Sequence, residues 1–108
     1  MPDVKAALKE IADGRRRLAD TVTALELDKE SLQGITAEQN RIRQNMATLT
    51  QNSELFKNYV AKLTEQETRL EALRSKMEQH RLQIAELREQ LAKRYIRLDD
   101  SNDHDPFK

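Results

Sequence analysis

The sequence predicts an all-α protein, a long antiparallel two-helix coiled-coil hairpin that two copies could assemble into a four-helix bundle. Ala, Glu, Lys, Leu and Arg make up about half of its 108 residues, a composition typical of coiled coils and long helices. Apolar residues recur every seven residues through two segments of nearly equal length, which is the periodicity of a coiled coil. Only two glycines, two prolines, two tyrosines and two phenylalanines are present, too few for a β-sandwich or barrel.

The first helix is expected over about residues 3–50. In a heptad repeat lettered a to g, positions a and d form the seam between two helices. The a positions are Val4, Ile11, Leu18, Leu25, Leu32, Gln39 and Met46, and the d positions are Ala7, Gly14, Thr21, Asp28, Ile35, Ile42 and Leu49. All the a positions except Gln39 are apolar, and a series sustained over this length indicates a coiled coil.

Gly34 offers an alternative, in which the first helix breaks in two. A glycine inside a helix costs about 1 kcal/mol relative to alanine. The residues that follow include Thr36 and Gln39, which have the spacing of a capping box at a new helix start. The heptad phase passes through Gly34 without a slip, however, and this favours a continuous helix.

The turn is expected at about residues 50–53, where the small polar sequence Thr50-Gln51-Asn52-Ser53 separates the periodic segments. Ser53 has the properties of an N-cap for a second helix over about residues 54–98. The a positions of that helix are Phe56, Leu63, Leu70, Met77, Ile84, Leu91 and Leu98, and its d positions are Tyr59, Gln66, Leu73, His80, Leu87 and Arg94. Residues 1–98 thus form one helical hairpin, followed by a disordered acidic tail at 99–108.

Folding the second helix back on the first, with Leu49 opposite Phe56, defines every layer of the core. Gly14 then lies opposite Leu91. Gln39 and Gln66, the polar interruptions of the two series, fall in the same layer. We expect their amides to hydrogen-bond each other and to fix the register, since a buried unpaired amide costs roughly 1–3 kcal/mol.

The charges are balanced, with 19 basic and 19 acidic residues, and no basic face marks a nucleic-acid binder. The run Arg15–Arg17 is flanked by acidic residues and points in three directions around a helix. No apolar run is long enough for a signal peptide or a membrane span. We therefore expect no nucleic-acid partner and no membrane, and the compartment stays open, with the cytoplasm as the default.

No group of residues predicts catalytic, cofactor-binding or metal-binding chemistry. There is no cysteine, no phosphate-binding glycine loop and no pairing of a nucleophile with a base. His80 and Asp28 fall near each other in the predicted core, but zinc needs three or four converging ligands. We therefore expect a chain that is not an enzyme and has no cofactor.

A candidate interaction patch lies at the open end of the predicted hairpin, outside the regular core. Its members are Val4, Leu8, Tyr95, Ile96 and Leu98. This patch would be a contact in a homodimer or the junction to the remainder of a larger parent protein. Isolated apolar residues on an ordinary surface are the alternative.

The sequence resembles the C-terminal coiled-coil segment of bacterial mucoidy-inhibitor-like proteins, a family of unknown function. The similarity is carried by residues 36–46, 55–59 and 63–67. The resemblance covers residues 36–75. It implies that a β-rich domain accompanies these helices in a longer protein, and that Gln39 and Gln66 match positions where the family's helices turn back on each other. It implies no catalytic residues.

The sequence therefore predicts a non-enzymatic structural or protein-interaction module, part of a larger bacterial protein, that acts as a spacer, tether or oligomerisation element. The alternatives are a parallel dimeric coiled-coil adaptor and a binding rod for a protein or nucleic-acid partner.

Overall fold

The structure, a computed structural model, describes the backbone of residues 2–102 and the side chains of residues 3–98. Helix α1 spans Pro2–Met46 and helix α2 spans Glu54–Asn102, and together they form a two-helix hairpin. The predicted all-α fold class is confirmed. The chain divides into two units: unit 1 comprises Met1–Ala24 with His80–Lys108, and unit 2 comprises Leu25–Gln79.

The helix boundaries differ from the predicted ones at two places. Helix α1 begins at Pro2. The first amide of a helix has no intrahelical acceptor, so proline, which lacks an N–H, is well suited to this position. The helix ends at Met46, before the expected boundary near residue 50. Helix α2 begins at Glu54, as predicted, and continues to Asn102 instead of residue 98. Residues 99–102 are therefore helical, and the rest of the predicted tail lies outside the described residues.

Helix α1 passes through Gly34 without a break. Thr36 Oγ1 donates a hydrogen bond of 2.9 Å to the Leu32 carbonyl one turn earlier, which is the bond of a threonine inside a helix and not of a cap. The continuous heptad phase therefore predicted this helix better than its glycine did.

The connection at residues 47–53 reverses the chain within unit 2 through two successive tight turns. The amide of Leu49 bonds the Met46 carbonyl at 3.0 Å, and the amide of Ser53 bonds the Thr50 carbonyl at 3.0 Å. No residue in the described chain has a positive φ, so the reversal needs no glycine. This explains how a chain without a glycine near its midpoint forms a hairpin.

The predicted heptad positions account for the buried core of both units. Every buried residue among those described lies at an a or d position. In unit 1 these are Ile11, Gly14, Ile84 and Leu91, and in unit 2 they are Leu25, Asp28, Ile35, Gln39, Ile42, Gln66, Leu70 and Met77. Burial of one such aliphatic side chain contributes about 1.5–3 kcal/mol, so this seam supplies most of the driving force for pairing.

Contacts between the helices confirm the antiparallel register within each unit. In unit 1, a β-carbon built on Gly14 would lie 2.9 Å from Leu91 Cδ2, as expected for residues of one layer. In unit 2, Asn45 Nδ2 donates to Tyr59 Oη at 3.5 Å. Both contacts agree with the register defined by Leu49 and Phe56.

Candidate interaction surface

The polar layer of unit 2 forms differently from the prediction. Gln39 and Gln66 are both buried, as expected for core positions. Gln39 Nε2, however, donates to Glu67 Oε1 at 2.9 Å, and Gln66 Oε1 is buried without a hydrogen-bond donor. The predicted bond between the two amides is therefore wrong. A carboxylate is a stronger acceptor than an amide oxygen, and Glu67 competes successfully for Gln39.

A second polar residue, Asp28, is buried in the core of unit 2. Its Oδ1 atom lies 3.6 Å from Lys76 Nζ, so a cation on the facing helix balances part of its charge. His80, which the sequence placed near Asp28, belongs to unit 1 and is half-buried there. Among the described side chains of residues 3–98, no three His, Cys, Asp or Glu residues converge on a point where a metal ion could bind.

Glu38 lies at the centre of a charge cluster in unit 2. Its carboxylate accepts hydrogen bonds from Arg41 at 2.6 and 3.0 Å and from Lys62 of the facing helix at 3.4 Å. These bonds, led by the one from Arg41, lower the pKa of the Glu38 carboxyl from 4.5 to about 2. The hydrogen bonds to Glu38 and the charge of its carboxylate raise the pKa of Arg41.

Two clefts show that the g positions of α1 and α2 lie on the same side of unit 1. A cleft of about 140 Å³ is lined by g positions of both helices, among them Glu10 and Arg97, together with core residues. A second cleft lies beside Arg17, Gln83 and Gln90, which are again g positions of both helices. Because the g positions of α1 and α2 share one side of unit 1, their e positions share the opposite side.

The side that carries the g positions is polar and contains an interhelical ion pair. Arg94 Nε lies 3.5 Å from Glu10 Oε2, and Arg94 Nη1 also donates to the Glu10 carbonyl oxygen at 3.4 Å. These contacts join α1 and α2 across the first cleft, near both ends of the described chain.

The residues of the predicted interaction patch differ in what they line and in how far they are exposed. Val4 and Leu98 line the 140 Å³ cleft. Leu8 and Tyr95 occupy e positions away from that cleft and are 51% and 43% exposed, and Ile96 lies further out at 59%. All five residues are therefore at least partly exposed near one end of unit 1.

Four exposed alanines on the same side of unit 1 as Leu8 and Tyr95 were not singled out from the sequence. They occupy b positions, next to the e positions on the helix surface, and they are Ala12, Ala19, Ala85 and Ala92. Their seven-residue spacing within each helix was the signal available in the sequence. Glu67 was missed for another reason, because an e position gives no indication that its side chain reaches into the core layer.

Comparison of this chain with protein-family models, with curated proteins and with solved structures gives no match. The resemblance over residues 36–75 to the mucoidy-inhibitor-like family therefore stays a prediction. In the described part of the chain, neither helix has a segment apolar enough to span a bilayer.

Proposed function

We propose that this chain is a non-enzymatic helical-hairpin module that holds two points of attachment side by side and binds a protein partner. One observation carries the proposal. Asp3 and Val4, near the start of the described chain, line the same cleft as Arg97 and Leu98, near its end. Whatever is joined to the two ends of the hairpin would therefore be held together.

This geometry favours a tether over a spacer. A spacer keeps its two attachment points apart, as a single long helix does at about 1.5 Å per residue. In unit 1, the ion pair between Glu10 and Arg94 and the buried residues Ile11 and Leu91 keep the two helices adjacent instead. The rest of the parent protein, bacterial if the family resemblance holds, would supply what is attached.

Association with another chain is a second element of the proposal, because two helices alone bury little apolar surface. Leu8, Tyr95 and Ile96 leave apolar area exposed at one end of unit 1, which an associated chain would bury. A parallel dimeric adaptor would require residues 47–53 to be extended instead of reversing the chain. The hydrogen-bonded turns at these residues argue against that alternative.

The proposal is tested by energy transfer between fluorescent proteins fused to the two ends of the chain. A tether predicts efficient transfer that does not change with protein concentration. A flexible insertion of the same length in place of the hairpin is the control and should give weaker transfer. Weak transfer from the hairpin fusion, or transfer that appears only at high concentration, would contradict the proposal. Light scattering on the unfused chain distinguishes one copy from two.

A further inference from the structure

One side of unit 1 exposes apolar and basic side chains that the core does not use. We call it the e-side surface, because it consists of the e positions and the adjoining b positions. It comprises Lys5, Leu8, Ala12, Arg15, Ala19 and Val22 of α1 and Arg81, Ala85, Arg88, Ala92 and Tyr95 of α2. All eleven side chains are exposed.

The apolar residues of the e-side surface have the spacing of a second helical seam. Leu8, Val22 and Tyr95 are 51%, 37% and 43% exposed, so much of their apolar area meets water. The four alanines recur at seven-residue intervals between them, and short side chains let a further helix approach to about 8 Å between axes. From Leu8 to Val22 the surface extends about 21 Å along α1, enough for roughly four turns of a partner helix.

The charges of the e-side surface are all of one sign. Its only charged members are basic, and they are Lys5, Arg15, Arg81 and Arg88. Arg15 and Arg88 form no hydrogen bond or ion pair within the described residues, so their guanidinium groups are available to a partner. The opposite side of unit 1, by contrast, carries charges of both signs at its g and c positions, namely Asp3, Glu10, Asp13, Asp20 and Glu86 together with Arg17, Lys93 and Arg97.

Unit 2 shows that this pattern is not a general property of the hairpin. At the same e and b positions its helices carry polar and charged residues of both signs, and Val60 is the one apolar member. Lys29 and Arg74 there correspond to Arg15 and Arg88 in unit 1, with the same offset between the helices. The combination of apolar and exclusively basic residues is therefore confined to the e-side surface of unit 1.

We propose that the e-side surface binds a helix of another protein, one with an apolar stripe flanked by acidic residues. The inference rests on the proposed function, in which the chain is a protein-interaction module. Charge decides against a second copy of this chain, since two e-side surfaces in contact would place arginines against arginines. The surface has one leucine and neither Trp nor Phe, which argues against a bilayer, because interfacial binding relies on several large apolar anchors.

The test measures binding of the full chain to a synthetic helical peptide of about 21 residues, three heptads long. The peptide has leucine and alanine along one stripe and glutamate on both flanks, and its control has lysine in place of every glutamate. Fluorescence anisotropy should show binding of the glutamate peptide, at least about tenfold weaker binding of the lysine peptide, and loss of affinity as salt is raised.

Two double variants with the same change in net charge locate the site. Arg15→Glu combined with Arg88→Glu should weaken binding of the glutamate peptide by about tenfold or more. Lys29→Glu combined with Arg74→Glu, at the corresponding positions of unit 2, should change it less than about twofold. Circular dichroism of both variants checks that the substitutions leave the helices intact. Tyr95→Ala should also weaken binding, because a large exposed aromatic side chain is a typical anchor of an interface.

Several results would overturn the proposal. These are no binding of the glutamate peptide, equal binding of both peptides, and equal loss of binding in the two double variants. Binding to vesicles rich in anionic lipid but to neither peptide would assign the surface to a membrane. A dimer that Tyr95→Ala converts to a monomer would assign it to a second copy.

Efficient energy transfer without peptide binding would remove this inference alone, whereas weak transfer would contradict the proposed function itself.

Discussion

The two glycines of α1 occupy opposite environments, and alanine substitution separates them. A β-carbon at Gly34 would meet no atom within 4 Å, whereas one at Gly14 would lie 2.9 Å from Leu91 Cδ2. Gly34→Ala should therefore raise the free energy of unfolding by the full helix-propensity gain, about 1 kcal/mol. Gly14→Ala should gain less, because the buried Leu91 side chain must move. Urea denaturation of the two variants measures the difference, and an equal gain from both would contradict the close approach at Gly14.

Gln66 should be replaceable by leucine with a gain in stability. Its buried Oε1 atom has no hydrogen-bond donor, and a buried unsatisfied group costs about 1–3 kcal/mol. We expect Gln66→Leu to raise the free energy of unfolding by about 1 kcal/mol or more in thermal or urea denaturation. Gln39→Leu is the matched control and should gain less, because it gives up the bond to Glu67. A loss of stability in Gln66→Leu would show that the amide has a partner.

Glu38 should titrate far below an ordinary glutamate. Arg41 and, more weakly, Lys62 lower its pKa from 4.5 to about 2. A lowered carboxyl pKa in the folded state stabilises the fold above the unfolded pKa, and that contribution is lost as the pH falls from about 4.5 towards 2. The midpoint followed by NMR at the Glu38 carboxyl carbon should lie near 2 and rise towards 4.5 in Arg41→Gln. A midpoint near 4.5 in the unsubstituted chain would contradict the cluster.

At the scale of the elements, Ser53 is the N-cap of α2, which begins at Glu54. Its Oγ atom accepts a hydrogen bond of 3.1 Å from the Phe56 amide and donates one of 2.8 Å to the Thr50 carbonyl. Ser53→Ala should therefore lower the free energy of unfolding by about 1 kcal/mol, the usual contribution of an N-cap. Ser31→Ala, at an exposed position inside α1, is the control and should not destabilise the chain. Equal effects of the two substitutions in urea denaturation would argue against the cap.

The helices and their register were predictable from the sequence because seven-residue periodicity is a strong signal over long segments. The core positions and the pairing of Gly14 with Leu91 follow from it, whereas the N-cap at Ser53 followed from the small polar residues between the periodic segments. The end of α1 at Met46 did not, because helix ends depend on local turn bonds that periodicity does not report.

The polar contacts were less predictable than the apolar ones. Heptad position placed Gln39 and Gln66 in the core, but the choice of hydrogen-bond partner depends on which neighbouring side chain reaches furthest, as Glu67 does. The e-side surface was also missed in part, since an exposed alanine is unremarkable until its neighbours across the helix pair are known.

At the scale of the whole molecule, the central claim is that one chain supplies both helices of each pair, in a single antiparallel register. Unit 2 contains the turn, so the claim can be tested there. Leu32 and Leu73 are both half-buried core residues of unit 2, on facing helices of the predicted layer. A disulfide requires α-carbons within about 7 Å, which makes it a sensitive test of register.

The most direct measurement is oxidation of the double variant Leu32→Cys/Leu73→Cys at low protein concentration, read by non-reducing electrophoresis and mass spectrometry. The hairpin predicts a disulfide within one chain, with the mass of a single chain. The control Leu32→Cys/Leu63→Cys displaces one cysteine by about 15 Å along α2 and should not form that bond. Disulfides only between chains, or equal bridging in the control, would contradict the antiparallel hairpin.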